Sequence, residues 1–368
     1  MARLKEAYIN EQGIRVSTVT GKPVREYKKQ SKYWDALNDL SSAETKEEVE
    51  QVIVHDPLYE KLSHYYTQRE LEVMVERKEN ASPVELIELK RAEHTADENN
   101  VGIIVASDWH ADETVKASTV LGKNEFNESI ARARIENFFQ NAVKVAENKA
   151  VNELIFASLG DMVGGWIHDE LAQTNSMSPM NGIAMVKKLI VSGLKFIYDN
   201  MPHIEKITFI GICGNHTRTT KKMQFANGFE LSHEFFMYQD IKSTCELLGM
   251  DNMTFIIPES EFAYLDVYGR KLLFCHGHQF KTSGGVGGIY PSMLRWFGKM
   301  NQTIKIDKAF IGHYHTSIWT KEVCVNGSIK GYDAFAMGHG LPFEEPKQTY
   351  VILNEKRGFI FYTPIFVD

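Results

Sequence analysis

The chain lacks several features that would narrow its place or partners at once. Its four cysteines, Cys213, Cys245, Cys275 and Cys324, are widely spaced and form no C-x-x-C pair. That excludes a zinc-knuckle pattern and a disulfide framework, and they read as reduced, mostly buried thiols. No stretch approaches the roughly 20 apolar residues that cross a bilayer, and Met1-Ala2-Arg3-Leu4-Lys5-Glu6 carries no apolar signal core. A cytosolic (cytoplasmic) protein with no membrane association is expected. A basic excess is also missing. With a formal net charge of -7, bulk charge could not hold a polyanion, so a local basic patch or metal ions would have to do so. Internal repeats and low-complexity tracts are absent; the nearest is Gly284-Gly285-Val286-Gly287-Gly288, read as a lid or hinge.

What remains is an ordinary apolar fraction of 43% over 368 residues, enough for about two or three domains by length. Residues 1–100 are charged, poor in Gly and rich in helix-start signals. Thr45-x-x-Glu48, Thr67-x-x-Glu70 and Ser82-Pro83-x-Glu85 match capping boxes, the last with Pro at the first helical position. Three or four helices are expected there, as a helical accessory region. Lys22, Arg25, Lys28, Lys29 and Lys32 form a basic run that reads as a solvated helix face.

From residue 101 to 368 the pattern becomes short β-branched runs alternating with amphipathic stretches near 128–149, 180–199 and 229–247. This is the signature of an α/β sheet with helices outside. After 253 hairpin signals dominate, at Tyr268-Gly269-Arg270, Asn326-Gly327 and Lys356-Arg357-Gly358. Five of the apolar runs end in Asp, Asn or His. They lead into Asp108-Trp109-His110, Gly160-Asp161, Gly214-Asn215-His216, His276, and Gly312-His313-Tyr314-His315. Strand carboxyl ends are where open α/β sheets place their ligand crevice. A single such ending is more often a satisfied polar residue, but burying this many ionisable groups without a compensating cation would cost several kcal/mol each. A metal site is the economical explanation. Carboxylate, amide and imidazole ligands without thiolate suit Mn²⁺, Fe²⁺, Zn²⁺ or Mg²⁺.

This order of motifs resembles the calcineurin-like metallophosphoesterase superfamily over about residues 101–340. The resemblance implies a four-layer αββα sandwich and two divalent metal ions, Mn²⁺ foremost. It implies that Asp108, His110, Asp161 and His315 hold one metal, and that Asp161, Asn215, His276 and His313 hold the other, with Asp161 bridging. His216 would face the scissile phosphate as general acid or transition-state stabiliser while a metal-bridging hydroxide attacks. Among members of that superfamily the chain most resembles the SbcCD/Mre11-type nuclease branch and phage-encoded phosphoesterases of DNA repair. That likeness rests on Ser107–His110, on Gly160–Leu171 and on Val325-Asn326-Gly327-Ser328.

The sequence departs from the pattern at two places. Gly164 stands where purple acid phosphatases carry Tyr and nucleases often carry His. Thr217-Arg218 follows His216 where an acid is usual, so another acceptor must hold the second nitrogen of His216. Arg218 could clamp a phosphate, and His168, His278 and Tyr314 could touch substrate. Trp109 and Trp166 could stack on bases, with aromatic packing as the default reading. The expected activity is phosphodiester hydrolysis on DNA or RNA. The alternatives are a phosphatase or phosphodiesterase acting on a small nucleotide or phosphoprotein, and a non-catalytic metal-stabilised scaffold. Residues 1–100 could dimerise the protein, dock an ATPase partner or guide a strand.

Overall fold

The computed structural model describes residues 7–9, 15–17, 99–147, 151–280 and 288–368. The chain divides into two units, Met1–Glu93 and His94–Asp368. In the first, β1 (Ala7–Ile9) and β2 (Arg15–Ser17) pair antiparallel, with Tyr8 opposite Val16. This strand pair is an element that the sequence reading of the region did not include. The three capping-box helices and the basic run of Lys22–Lys32 lie outside the described residues, as do Gly284–Gly287.

The second unit opens with β3 (Asn100–Ala106), α1 (Glu128–Glu147), β4 (Glu153–Ser158), α2 (Asp169–Thr174) and α3 (Pro179–Asn200). It continues through β5 (Lys206–Gly211), α4 (His233–Leu247), β6 (Met253–Ile256), β7 (Phe262–Val267), β8 (Arg270–Cys275) and α5 (Tyr290–Thr303). It closes with β9 (Lys308–Ile311), β10 (Ile318–Trp319), β11 (Val323–Val325), α6 (Ala334–Gly338), β12 (Lys347–Asn354) and β13 (Gly358–Phe366). The helical spans follow from periodicity. α1 buries Ala131, Ile135, Phe138, Phe139 and Ala142 on one stripe. α3 starts where Ser178 accepts from the Asn181 N–H and Pro179 occupies the first turn.

One sheet has the order β13-β12-β3-β4-β5-β6 and the other β10-β11-β9-β8-β7. Strand alternation divides the core into layers. Ile104, Phe156 and Phe209 face α1, α3 and α4, while Ile103, Val105, Ile155 and Ile210 meet Leu272, Phe274 and Phe310 of the other sheet. Leu273, Cys275, Ala309 and Ile311 pack on Met293 and Phe297 of α5. The architecture is therefore helix, sheet, sheet, helix. Each fully buried side chain of this size contributes roughly 1.5–3 kcal/mol.

Register then aligns the strand ends. β3, β4 and β5 are parallel, with Ala106 beside Ser158 and Ser158 beside Gly211. In the other sheet β8 and β9 are parallel, with Cys275 beside Ile311. The Tyr268-Gly269 turn forms as expected, both residues having positive φ (54° and 76°), the geometry of a tight hairpin. Asn326-Gly327 does not form a hairpin. Asn326 is buried and donates to Ser107 Oγ (3.0 Å) and Gln348 Oε1 (3.2 Å). The same Gln348 oxygen accepts from Ser107 N–H (2.9 Å) and Trp109 Nε1 (3.1 Å), so this segment is a polar plug beneath the end of β3.

Two buried carboxylates tie the motif loops together. Glu234, in the first turn of α4, accepts from Met162 N–H and Gly214 N–H, both at 2.7 Å. Asp112 accepts from Gly164 N–H (2.6 Å), Gly165 N–H (3.2 Å) and Asn175 Nδ2 (3.0 Å). Removing the acceptor from a buried donor costs about 1–3 kcal/mol. Glu234→Ala, which strands two donors, should therefore lower unfolding stability by about 2–4 kcal/mol in chemical denaturation. A loss below 1 kcal/mol would show that the loops do not depend on this carboxylate.

Candidate metal centre

The five strand ends bring their side chains into one cleft. His110 Nε2 lies 3.1 Å from His315 Nε2, and His315 Nε2 lies 3.5 Å from Asp108 Oδ1. His276 Nε2 lies 2.9 Å from Asp161 Oδ2 and 3.1 Å from Asn215 Oδ1. Three sets of ligand atoms each fall within 4.8 Å of one another: Asp108, His110 and His315; His110, Asp161 and His216; and Asp161, His276 and His313. Asp161 and His110 each belong to two sets, which joins the three into one continuous centre.

Backbone conformation reinforces this grouping. Seven non-glycine residues among those described have positive φ, and five of them are Asp108 (54°), His110 (44°), Asp161 (52°), His313 (70°) and His315 (51°). This region costs about 1–3 kcal/mol for a residue with a side chain, and it persists where the surroundings over-determine it, as at functional sites. Glycines supply the close approaches. A Cβ on Gly160 would lie 2.2 Å from Gly214 N, and one on Gly214 would lie 2.1 Å from Asp161 Oδ1.

Hydrogen bonds fix the tautomers. His276 Nδ1 donates to Leu159 O (2.6 Å) and His216 Nδ1 donates to Gly164 O (2.8 Å), since a carbonyl can only accept. Each ring thereby turns Nε2 toward the centre. The carboxylates are engaged as well: Asp161 Oδ1 accepts from His216 N–H (2.8 Å), and Asp108 Oδ2 accepts from His313 N–H (2.9 Å). Behind His110, Glu113 Oε1 sits 2.8 Å from Nδ1 as an ion-pair contact. The other oxygen of Glu113 pairs with the buried Lys330 (2.8 Å), which also pairs with Asp333 (2.7 Å).

Protonation follows from burial and neighbours. Burial lowers His110 to about 4 and His313 to about 3, so both are neutral near pH 7 and able to act as ligands. Burial opposes the charge on Asp161, yet His276 and His216 outweigh it and hold the carboxyl well below its usual range. Burial together with the Asp161 charge raises Glu234 to about 7. A donor set of imidazoles, an amide oxygen and two ionised carboxylates fits divalent cations of borderline hardness. Two imidazole nitrogens 3.1 Å apart point the same way.

Several residues have surroundings that differ from their expected roles. Arg218 spends its guanidinium on main-chain carbonyls of its own loop, those of Asn215, Thr220 (3.1 Å) and Lys221 (3.5 Å). These bonds brace the loop that follows Asn215. The Tyr314 hydroxyl is shared between Phe280 O (2.8 Å) and Gly277 O (3.2 Å), with its ring stacked on Phe280, so it is not turned to substrate. Trp109 is fully buried edge-on to Phe138 and cannot stack on a base. His278 Nε2 lies 2.9 Å from Glu261 Oε2, with its ring 5.5 Å from that of His276. His168 stands at the N-cap of α2 without a side-chain cap bond, and its ring lies 5.8 Å from that of His216. Glu234, Asp112, Glu113 and Lys330 are the supports that motif reading missed. None of the four stands in a motif that would mark it as buried in the sequence.

No described helix is long and apolar enough to cross a membrane. No protein-family profile and no curated protein match the chain. Solved structures similar to it include vacuolar protein sorting 29 from Cryptosporidium parvum, at 11% identity and TM-score 0.30, covering 69% of this chain and 86% of that one. Another is Vps29 from Entamoeba histolytica, complexed with zinc, at 10% identity and TM-score 0.27, covering 72% and 99%. A third is a predicted phosphoesterase from Streptococcus pneumoniae, at 13% identity and TM-score 0.26, covering 69% and 83%.

Proposed function

We propose that the chain is a dinuclear metal-dependent phosphoesterase that hydrolyses phosphodiester bonds of nucleic acid. The observation that supports it best is the convergence, from five strand ends, of aspartate and histidine ligand atoms that fall within 4.8 Å of one another in linked sets. In this reading Asp108, His110, Asp161 and His315 hold one cation, and Asp161, Asn215, His276 and His313 hold the other. Mn²⁺ is the first choice for both. When bound, such cations polarise a phosphoryl oxygen, lower the pKa of water and offset the charge that develops in transfer.

The chain's own residues supply orientation and a proton. Gly164 O fixes the ring of His216, so that Nε2 is the atom presented to the cleft, 4.0 Å from Asp161 Oδ2. In its protonated form that nitrogen donates to the leaving oxygen or to the charge building on phosphorus. His168, exposed beside His216, lies where a substrate flank would pass. The nucleic-acid assignment draws on these open flanks together with the nuclease-like motifs.

Elemental analysis and turnover on a labelled oligonucleotide test the assignment. His216→Ala should keep both metal ions while turnover falls roughly 10²–10⁴-fold, the usual contribution of a positioned acid. Asp161→Asn, which weakens the shared ligand, should lose metal as well as activity. Full turnover in the first variant, or full metal content in the second, would overturn the roles given.

Metal binding should also release a proton. Burial disfavours the charged form of His276, but Asp161 and Asp108 outweigh it and raise the group to about 10 in the bare site. At neutral pH the ring is therefore protonated, and a cation at Nε2 must displace that proton. Apparent affinity should rise with pH from neutrality up to about 10 and fall on acidification. Titration calorimetry in buffers of different ionisation enthalpy should report about one proton released; none released would be the contrary result.

A further inference from the structure

The segment that follows His216 projects as a finger. Its base is closed by the Arg218–Ser232 antiparallel bridge, by Thr219 N–H donating to Leu231 O (2.8 Å) and by His233 N–H donating to Thr217 O (3.1 Å). The Arg218 guanidinium spans Asn215 O, Thr220 O and Lys221 O, so it pins the finger beside a candidate ligand. Beyond this brace Lys221 and Lys222 are exposed, and among the described residues no carboxylate pairs with either. Residues 218–230 hold three cations and a single acid, Glu230, in a chain whose net charge is -7. Phe225, further along, is 66% exposed.

On the other flank of His216 lies Gly165, where a Cβ would stand 2.6 Å from His216 O. The residue after it, Trp166, is 52% exposed. An exposed aromatic thus stands on each of the two segments that meet at His216, and a pair of unpaired lysines stands on one of them. Aromatic faces can stack only on bases that are not already paired within a duplex, while lysines take the backbone whatever the sequence.

We propose that residues 218–230 form a substrate-strand finger, with Lys221 and Lys222 taking backbone phosphates and Phe225 and Trp166 stacking on bases. The preferred substrate is then single-stranded nucleic acid. This rests on the phosphoesterase reading above and names its substrate class.

Fluorescence anisotropy tests it with the full-length Mn²⁺-loaded chain and a hydrolysis-resistant phosphorothioate oligonucleotide of roughly 15 nucleotides, about one site size. The single strand should bind more tightly than the matching duplex. Phe225→Ala and Trp166→Ala should each weaken it roughly tenfold. The Lys221→Ala/Lys222→Ala double variant should reduce the slope of log affinity against log salt by about 1.4, or about 0.7 per phosphate on a single strand. RNA of the same sequence, run alongside, identifies the natural polymer by tighter binding, and dependence on Phe225 in either polymer supports the finger. Tighter binding of duplex, or an unchanged salt slope with no effect of Phe225→Ala, would overturn it. Hydrolysis of bis(p-nitrophenyl) phosphate by the unaltered protein reports the metal centre alone. Its absence would sink the phosphoesterase reading, whereas a failure confined to oligonucleotide binding would sink the finger.

Discussion

Asp161 is the point on which the centre turns. One carboxylate oxygen accepts from the His216 N–H, the other lies 2.9 Å from His276 Nε2, and its backbone sits at φ 52°. That conformation is held because the loops after β4 and β5 cross at Gly160 and Gly214, where a Cβ on either would meet the other loop at about 2 Å. Neither glycine can be exchanged without separating the loops. Separation would move Asp161 away from Asn215 and His216 together, and the parallel register of β3, β4 and β5 would then align nothing.

Holding charge in such a place takes further charge. Asp108, Asp161, Glu234, Asp112 and Glu113 are all buried, and an unpaired buried ion costs several kcal/mol. Each is met differently. Glu234 and Asp112 are met by backbone N–H groups, which are fixed dipoles that need no second ionised side chain. Glu113 is met by Lys330, itself shared with Asp333, so a three-residue chain leads from the edge of the cleft to the back of His110. Asp108 is met by His315 at 3.5 Å and Asp161 by His276 at 2.9 Å, and divalent cations held here would complete the balance. The backbone N–H groups and Lys330 thus offset the support carboxylates as divalent ions would offset those of the centre.

How much of this was legible in the sequence depended on separation along the chain. The strand-end motifs stand within a few residues of an apolar run, so Asp108, Asp161, Asn215, His276 and His313 could be located from local pattern alone. The spans of α1, α3 and α4 followed from periodicity in the same way. Glu113 and Lys330 are 217 positions apart, and each reads as an ordinary surface charge until the fold pairs them. Asn326-Gly327 has hairpin composition, but Gly327 is needed for a different reason, since a Cβ there would lie 2.6 Å from Lys347 O. The partners of Arg218 and Tyr314 were not legible, because spacing shows that a side chain is near a site without showing which carbonyls its donors reach.

The two departures from the metallophosphoesterase pattern account for each other. Position 164 carries no side chain, and the structure leaves it no space, because a Cβ would fall 2.4 Å from Glu113 Oε1. Glu113 therefore fills from behind the volume that a Tyr or His at 164 would enter from the front, and it directs its charge to His110 and Lys330. A glycine there also lets the loop fold close enough for its carbonyl to accept from His216 Nδ1. The acid missing after His216 is thereby replaced by a neutral acceptor on the neighbouring loop. A carbonyl orients the ring as a carboxylate would, but it adds no negative charge to hold the proton. The carbonyl thereby leaves Nε2 as the ring nitrogen that faces the cleft.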